Sequence, residues 1–221
     1  NDSMINLDLR EEIFYNIEAG NLLFIEGPKA SGKTSLLKFA INTFKGNKKV
    51  AYIDCKNLKD INIESILRKR NRLLRKEGLP KRMIILLDNI QELSHKNSER
   101  LKFYHDHNYI KSVVIAGTSY QEANISQSLK ERIGSRVITL QHLSEQKVAR
   151  ILKESAIPEK VIIEMYKLSE KNIKILTNNL ATFYQEIKNL PMERIQSMSQ
   201  EEIKQTLEQA KNENLVPASR I

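Results

Sequence analysis

The 221-residue chain contains one cysteine, no tryptophan, seven glycines and five prolines. With Cys55 as the only cysteine, an internal disulfide and a cysteine-rich metal site are excluded, and we expect a reduced, intracellular setting. The sequence has no apolar run approaching the roughly 18–20 residues that a membrane span needs. Its first dozen residues are acidic and do not resemble a signal peptide. We therefore expect a cytoplasmic protein with no membrane partner.

Acidic residues are outnumbered, since 36 Lys and Arg against 27 Asp and Glu give a formal net charge of +9. This excess suggests a polyanionic partner, although a Lys-, Ile- and Asn-rich composition is also typical of a low-GC genome. The densest basic segment begins at residue 68, and a solvated helix face is the alternative to nucleic-acid contact. Without interleaved aromatic residues, we expect DNA binding that is not sequence-specific. The candidate DNA contacts are Arg68, Lys69, Arg70, Arg72, Arg75 and Lys76.

One motif predicts a specific chemistry, the octapeptide Gly27-Pro28-Lys29-Ala30-Ser31-Gly32-Lys33-Thr34. It matches G-x-x-x-x-G-K-[ST], the phosphate-binding loop of nucleoside triphosphatases, and it lies between an apolar run and a helical stretch that begins at Ser35. The glycines let backbone N–H groups surround phosphate oxygens, and the helix N-terminus adds partial positive charge. We expect residues 27–35 to bind ATP or ADP, with Lys33 at the β- and γ-phosphates and Thr34 ligating Mg²⁺.

A second apolar run, residues 83–87, ends in Asp88. In phosphate-loop enzymes a carboxylate at this place holds Mg²⁺, which we predict for Asp88, with a simple turn residue as the alternative. The next residue is Asn89, where many such ATPases have a glutamate that orients or deprotonates the attacking water. An amide cannot accept that proton, so we expect slow hydrolysis. Thr118 follows another apolar run and could contact the γ-phosphate if its strand lies beside that of Asp88, or could simply form a turn.

Apolar strand-like runs alternate with helical stretches up to residue 140, which predicts a parallel α/β sheet. The expected strands lie near 22–26, 50–54, 83–87, 112–116 and 136–140. The expected helices follow the phosphate loop to residue 44 and cover 61–76, 97–107 and 125–133. Beyond residue 140 only helical patterns occur, near 144–155, 158–168 and 172–188, with a last helix opened by the capping-box sequence Ser199-Gln200-Glu201-Glu202. We expect a nucleotide-binding α/β core over residues 1–141 and a small helical domain over residues 142–221.

Four segments resemble motifs of DnaA, the AAA+ replication initiator of bacteria. Residues 87–93, LDNIQEL, resemble its D-D-I-Q-F-L stretch, and residues 131–137, ERIGSRV, resemble its E-R-L-x-S-R-F. Residues 145–152 resemble its E-x-R-x-x-I-L helix, and residues 172–176, NIKIL, resemble its N-V-R-E-L-E segment. The archaeal and eukaryotic origin-recognition ATPases share much of this pattern. The resemblance therefore indicates the replication-initiator clade of AAA+ ATPases more firmly than DnaA itself.

The resemblance implies a P-loop AAA+ core with a five-stranded parallel sheet, followed by an all-helical lid. It implies that Asp88 holds Mg²⁺, that Arg136 is an arginine finger acting on a neighbouring subunit, and that Lys174 is the sensor-2 cation. Two residues depart from the family pattern, since Asn89 replaces a second acid and Lys174 replaces an arginine. No residues are left for the helix-turn-helix domain of initiators. We therefore expect a bare ATPase module, either of the kind found in the DnaA-related regulator Hda or one truncated from a longer initiator.

The expected function is that of an ATP-binding, slowly hydrolysing switch in DNA replication initiation or its regulation. We expect self-association, or binding to a related AAA+ protein, through Arg136, with assembly on DNA or on an initiator at the nucleoid. Three alternatives remain open. They are a helicase-loading or transposition ATPase of the same fold, a phosphate-loop kinase of a small molecule, and a nucleotide-binding adaptor without useful hydrolysis.

Overall fold

The computed structural model of the protein describes residues 7–44, 49–56, 61–73, 79–90, 93–153 and 157–213, without the side chains of residues 70–73 and 213. These residues belong to two compact units, Asn1–Gln141 and His142–Ile221. The first unit is an α/β domain, and the described part of the second contains helices alone.

The first unit is built on a five-stranded parallel sheet with the strand order β2-β3-β4-β1-β5. This confirms the predicted sheet, and the expected strand positions were correct to within about three residues. The strands are β1 Leu22–Glu26, β2 Val50–Asp54, β3 Met83–Ile90, β4 Ile110–Gly117 and β5 Val137–Thr139. Since β4 lies between β1 and β3, the strand before the phosphate loop does not pair with the strand that carries Asp88.

Helices cover both faces of this sheet, which is why its central strands read as continuous apolar runs. One face packs with residues of α3, α4 and α5 into a core that includes Phe24, Leu67 and Leu101. The other face packs against α1 and α2 through residues such as Ile25 and Leu36. The helices of this unit are α1 Leu7–Ala19, α2 Lys33–Phe44, α3 Ile63–Leu73, α4 His95–Asp106 and α5 Gln127–Ile133.

Helix α1 is not among the elements expected from the sequence. Its buried apolar side chains, Ile13 and Ile17, recur at helical spacing together with the partly buried Leu9. The pattern is blurred because Phe14 is 44% exposed, at the edge of the buried stripe. The ring of Phe14 stacks on that of Phe44 with centroids 5.4 Å apart. Phe14 thus takes part in tertiary packing although the helical spacing of apolar residues does not place it on the buried face.

The second unit packs its described helices around the fully buried Tyr166 and Phe183. The expected capping box is confirmed, since the N–H of Glu202 donates to Ser199 Oγ at 3.2 Å and the N–H of Ser199 donates to Glu202 Oε2 at 2.7 Å. Among the described residues, no helix has the length and apolar character to cross a bilayer. The helices are α6 Glu145–Ile151, α7 Glu159–Leu168, α8 Ile173–Ile187, α9 Met192–Ser197, which was not expected, and α10 Gln200–Glu213.

Candidate nucleotide-binding site

The site residues of the first unit lie at the carboxyl edge of its sheet. The loop that begins at Gly27 directly follows β1, Asp88 lies near the end of β3, and Thr118 follows β4 between them. In open parallel α/β sheets the loops at this edge are the ones that bind ligands. The sheet therefore brings together residues that are far apart in sequence.

The loop itself has a backbone that only glycine tolerates at its first position. Gly27 has φ +155°, and a Cβ there would meet the Leu140 carbonyl oxygen at 2.5 Å and Ser31 Oγ at 2.7 Å. Ala30 and Gly32 also have positive φ, 66° and 103°. Alternation of such conformations turns successive N–H groups into a concavity that binds anions. The N–H of Gly27 donates to the carbonyl of Thr118 at 3.1 Å, which ties the loop to the end of β4.

The Lys33 ammonium is held inside the loop. It is 9% exposed and donates to the carbonyl oxygens of Gly27 at 2.6 Å and Pro28 at 2.8 Å. Burial lowers the pKa of Lys33, and the attraction of Asp88 opposes that shift. Both hydrogen-bond partners are neutral, so a phosphate oxygen would supply the charge compensation that burial takes away.

Asp88 is fully buried and accepts three hydrogen bonds. Its Oδ2 accepts from Thr34 Oγ1 at 2.7 Å and from the Tyr52 hydroxyl at 2.9 Å, and its Oδ1 accepts from the N–H of Asn89 at 2.9 Å. Thr34 and Asp88 are the two residues predicted to bind Mg²⁺, and they are 54 positions apart in sequence. The structure thus brings into direct contact the hydroxyl and the carboxylate that were predicted to hold Mg²⁺.

The loop and its neighbours fit a phosphate group and a hydrated Mg²⁺. Ser31 Oγ is buried and has no hydrogen-bond partner among the residues that the structure describes. Within that same part of the chain, no group of three or more His, Cys, Asp or Glu side chains could hold a metal by itself. Mg²⁺ would therefore be held by Thr34 and Asp88 with water and phosphate oxygens completing its shell, as this ion prefers. Residues 27–35 would hold the nucleotide.

Asn89 adopts a left-handed backbone conformation, φ +56°, at an irregularity in the pairing of β3 with β4. Asparagine tolerates this conformation better than most residues. Its side-chain amide donates to Asp54 Oδ1 at 2.9 Å, and this hydrogen bond is the main cause that lowers the pKa of Asp54. The amide of Asn89 takes the place where many such ATPases have a glutamate. It is hydrogen-bonded to Asp54, a carboxylate of the neighbouring strand β2.

Sequence reasoning missed Tyr52 and Asp54, both on β2. Burial and the hydrogen bond to Asp88 raise the pKa of Tyr52, so its hydroxyl stays a donor. A signal for Asp54 was present, because the strand Val50–Asp54 ends in a carboxylate at the same sheet edge as β3 does. Tyr52 had no such signal, since its role depends on a contact with Asp88, 36 positions away.

Thr118 meets the condition on which its predicted role depends. Strand β4 pairs with β3 over most of its length, so Thr118 follows the strand beside that of Asp88. Its side chain is exposed, and its carbonyl accepts from the first glycine of the loop. Its contact with a γ-phosphate stays a prediction.

Arg136 lies at the amino ends of the strands, whereas the phosphate loop of its own chain lies at their carboxyl ends. Its Nε donates to the carbonyl of Leu22, the first residue of β1, at 3.1 Å, and its guanidinium also donates to the carbonyl of Arg132. The loop follows the other end of β1, about 13 Å away at 3.3 Å per residue. Arg136 therefore does not reach the phosphate loop of its own chain, and its role as a finger stays a prediction that requires a second molecule.

The remaining predicted contacts are only partly described. Helix α3 buries Ile63 and Leu67 in the core, whereas Arg68 and Lys69 are exposed. The backbone of α3 continues through Arg70 and Arg72, and Arg75 and Lys76 lie outside the described residues. Lys174 is an exposed residue in the first turn of α8, in the second unit, and its sensor role stays a prediction.

Comparison with known proteins places this geometry in a family. A family model described as an AAA domain matches residues 19–149, which is more than half of the chain. No curated protein matches the sequence.

Three solved structures share the fold at low sequence identity. Cdc6p from Pyrobaculum aerophilum has a TM-score of 0.60 and 15% identity, over 82% of this chain and 61% of that one. RuvB from Thermotoga maritima has a TM-score of 0.60 and 16% identity, over 94% of this chain and 70% of that one. The replication initiator DnaA bound to AMPPCP and single-stranded DNA has a TM-score of 0.51 and 19% identity, over 92% of this chain and 75% of that one. The chain thus spans less than two thirds of Cdc6p.

The family match and the fold agree with the resemblance drawn from the motifs of this sequence. The strand order, the phosphate loop and the carboxylate at the end of β3 occur together in the residues that the family model covers. The chain belongs to the AAA domain family and has the fold of the replication-initiator AAA+ ATPases.

Proposed function

We propose that the protein is an ATP-binding, slowly hydrolysing AAA+ switch that acts in DNA replication initiation or its regulation. The observation that carries the proposal is the 2.7 Å hydrogen bond between Thr34 Oγ1 and Asp88 Oδ2, beside a phosphate loop with positive φ at Gly27, Ala30 and Gly32. Thr34 and Asp88 would hold one Mg²⁺ between them, and the ion would offset the negative charge of the phosphates of ATP.

The residues of the loop have distinct tasks in this proposal. The N–H groups between Gly27 and Thr34, together with the N-terminus of α2, hold the phosphates. The Lys33 ammonium exchanges its two carbonyl partners for phosphate oxygens and, because it is desolvated, binds them strongly. Thr118, which follows the strand between the loop and Asp88, would contact the γ-phosphate in this proposal.

The switch would assemble through Arg136 acting on the nucleotide of a neighbouring copy or of a related AAA+ protein. This is supported by the position of Arg136 at the amino ends of the strands, away from the phosphate loop of its own chain. A guanidinium that stabilises phosphate charge across a boundary makes assembly depend on whether ATP or ADP is bound.

The exposed side chains of Arg68 and Lys69 on α3 would lie along DNA. Arg68 is 57% exposed at its side chain, and its ion pair with Glu64 can open at little cost because neither partner is buried. The DnaA structure of the same fold is bound to single-stranded DNA, which supports this partner for the present chain. Binding through phosphates predicts a strong dependence on salt and little dependence on base sequence.

Nucleotide binding is tested first, by titrating the protein with a fluorescent ATP analogue with and without Mg²⁺. We expect Lys33→Ala to weaken binding by at least 100-fold, and Asp88→Asn to remove most of the Mg²⁺ dependence. Lys38→Ala is the matched control, because Lys38 is an exposed residue of the same helix. If the wild type binds no ATP, or if Lys33→Ala binds as well as Lys38→Ala, the proposed function is wrong.

Assembly is tested by light scattering coupled to gel filtration, with ATP, ADP and single-stranded DNA. We expect ATP-dependent, DNA-enhanced association in the wild type and in Arg132→Ala. Arg136→Ala should bind ATP normally and fail to associate. Because Arg136 also donates to backbone carbonyls of its own chain, circular dichroism is used to show that this variant is folded. Association of Arg136→Ala equal to that of the wild type would exclude the finger role.

A nucleotide-binding adaptor without useful hydrolysis is the second candidate, and Asn89 favours it. An amide at this position cannot act as a base. The amide of Asn89 also donates to Asp54, so it is already engaged in a hydrogen bond within the chain. Release of phosphate from ATP, measured with and without single-stranded DNA, separates the two functions. No turnover under either condition would favour the adaptor.

A further inference from the structure

The ends of β2 and β3 carry a pair of carboxylates in register. Asp54 and Asp88 are direct partners in the parallel pairing of these strands. Side chains at partner positions of neighbouring strands lie on the same face of the sheet, with the strands about 4.8 Å apart. The two carboxylates therefore lie side by side at the edge where the phosphate loop is placed.

The two carboxylates differ in what surrounds them. Asp88 is buried and its oxygens are occupied by Thr34, Tyr52 and the N–H of Asn89. Asp54 is exposed, and its Oδ1 accepts from the Asn89 amide at 2.9 Å and from the N–H of Lys56 at 3.1 Å. The hydrogen bonds of Asp54 that the structure describes thus reach Oδ1 alone.

The negative charge of Asp54 also acts on a residue of the site, Tyr52. It is one of the causes that raise the pKa of Tyr52, the residue whose hydroxyl donates to Asp88. Asp54 is thus close enough to act on the group that contacts the predicted Mg²⁺ ligand. Its pKa is lowered, so it is ionised at neutral pH.

We propose that Asp54 is the carboxylate that orients the attacking water during hydrolysis. It would replace the glutamate that many such ATPases have at the position of Asn89. Asn89 is a positioning residue in this scheme. Its backbone is left-handed near the end of β3, and its side-chain amide donates a hydrogen bond to Asp54 on β2. The inference rests on the proposed function, since it concerns hydrolysis at the same site.

The step is the hydrolysis of ATP to ADP and phosphate. A water molecule donates a hydrogen bond to Asp54 while its oxygen forms a bond to the γ-phosphorus, and the bond from that phosphorus to the β–γ bridging oxygen breaks. The electron pair leaves with ADP, and the proton passes to Asp54 and then to solvent. Since the transition state is loose, the water becomes acidic late, and a carboxylate of low basicity can serve. A weak base of this kind is consistent with the slow turnover that we propose.

A purely structural role for Asp54, holding the irregularity of β3 in place, predicts a different result. Asp54→Asn keeps a side-chain oxygen that can accept from the Asn89 amide, so the structural tie remains. It removes the charge and most of the capacity to accept a proton. Loss of hydrolysis in this variant, with the fold and the nucleotide affinity intact, can arise only if the charge acts on the reaction.

The decisive experiment is a single-turnover measurement with protein in excess over radiolabelled ATP, paired with the Kd of a fluorescent ATP analogue. We expect Asp54→Asn to slow phosphate release by about 100-fold, within the range of a positioned base, with a Kd within twofold of the wild type. Glu64→Gln is the matched control, since it removes a carboxylate, 35% exposed at its side chain, on the next helix. A rate equal to that of the control, or a wild type with no turnover, would overturn the inference.

Two further variants test the positioning by Asn89. Asn89→Gly accepts φ +56° and removes the amide, so we expect a lower single-turnover rate with an unchanged Kd. Asn89→Glu combined with Asp54→Asn should recover part of the lost rate by placing an acid at position 89. If ATP does not bind to the wild type, the proposed function itself fails. If ATP binds and is hydrolysed equally by the wild type and Asp54→Asn, only the inference on Asp54 fails.

Discussion

Replacement of Gly27 by alanine is expected to destabilise the first unit more than the same change at Gly32. Both glycines have positive φ, +155° and +103°, so alanine costs about 1–3 kcal/mol of backbone strain at either position. At Gly32 a Cβ would meet nothing within 4 Å, whereas at Gly27 it would meet the Leu140 carbonyl oxygen at 2.5 Å and Ser31 Oγ at 2.7 Å. Relief of that overlap requires backbone movement, which adds about 1–3 kcal/mol.

The comparison is made by urea unfolding followed by far-ultraviolet circular dichroism. We expect Gly27→Ala to lower the free energy of unfolding by about 1–3 kcal/mol more than Gly32→Ala does, with similar slopes in urea. The pair is well matched because both changes add one methyl group to the same loop. Equal destabilisation of the two variants would refute the packing of the loop against Leu140 and leave backbone strain as the only cause.

Three further predictions concern local contacts. Ser126→Ala removes the side-chain cap of α5 and should lower the free energy of unfolding by about 1 kcal/mol, measured in urea. The hydrogen bond from Arg194 is the main cause that lowers the pKa of Glu202 to about 2 from its ordinary 4.5, so its stabilising effect is present above pH 4.5 and is lost as the pH falls toward 2. Glu202→Gln should therefore show a shallower decline of thermal stability between pH 4.5 and 2 than the wild type, and an equal decline would contradict this pairing. Tyr166→Phe removes the hydrogen bond to the Leu143 carbonyl and should cost about 1–3 kcal/mol, seen as a lower thermal midpoint.

Much of the fold was predictable because its signals are local. Strand β1 and strand β2 have the bounds that their apolar runs predict, and the capping box at Ser199 and Glu202 forms as its spacing indicates. Helix α1 was missed because Phe14, an apolar residue at the edge of the buried stripe, stacks on Phe44. A side chain whose partner is distant in sequence confuses periodicity, since periodicity reads only near neighbours.

The candidate site divides in the same way. Lys33 and Thr34 were identified by an octapeptide in which every functional group is supplied by adjacent residues. Asp88 was identified by its place after an apolar strand. Asp54 has the same kind of place after β2, but the octapeptide and the β3 motif already accounted for the Mg²⁺ ligands, so nothing in the sequence drew attention to it.

The sequence by itself determined that this chain folds as an α/β phosphate-loop protein, because glycine spacing, apolar periodicity and helix caps act over a few residues. Only the tertiary structure decided how the loop is used. It brought Thr34 to Asp88 across 54 positions and Asn89 to Asp54 across 35, and it placed Arg136 at the sheet edge away from its own loop. These contacts depend on the order of parallel strands in the sheet, and strand order results from long-range packing that no local pattern records.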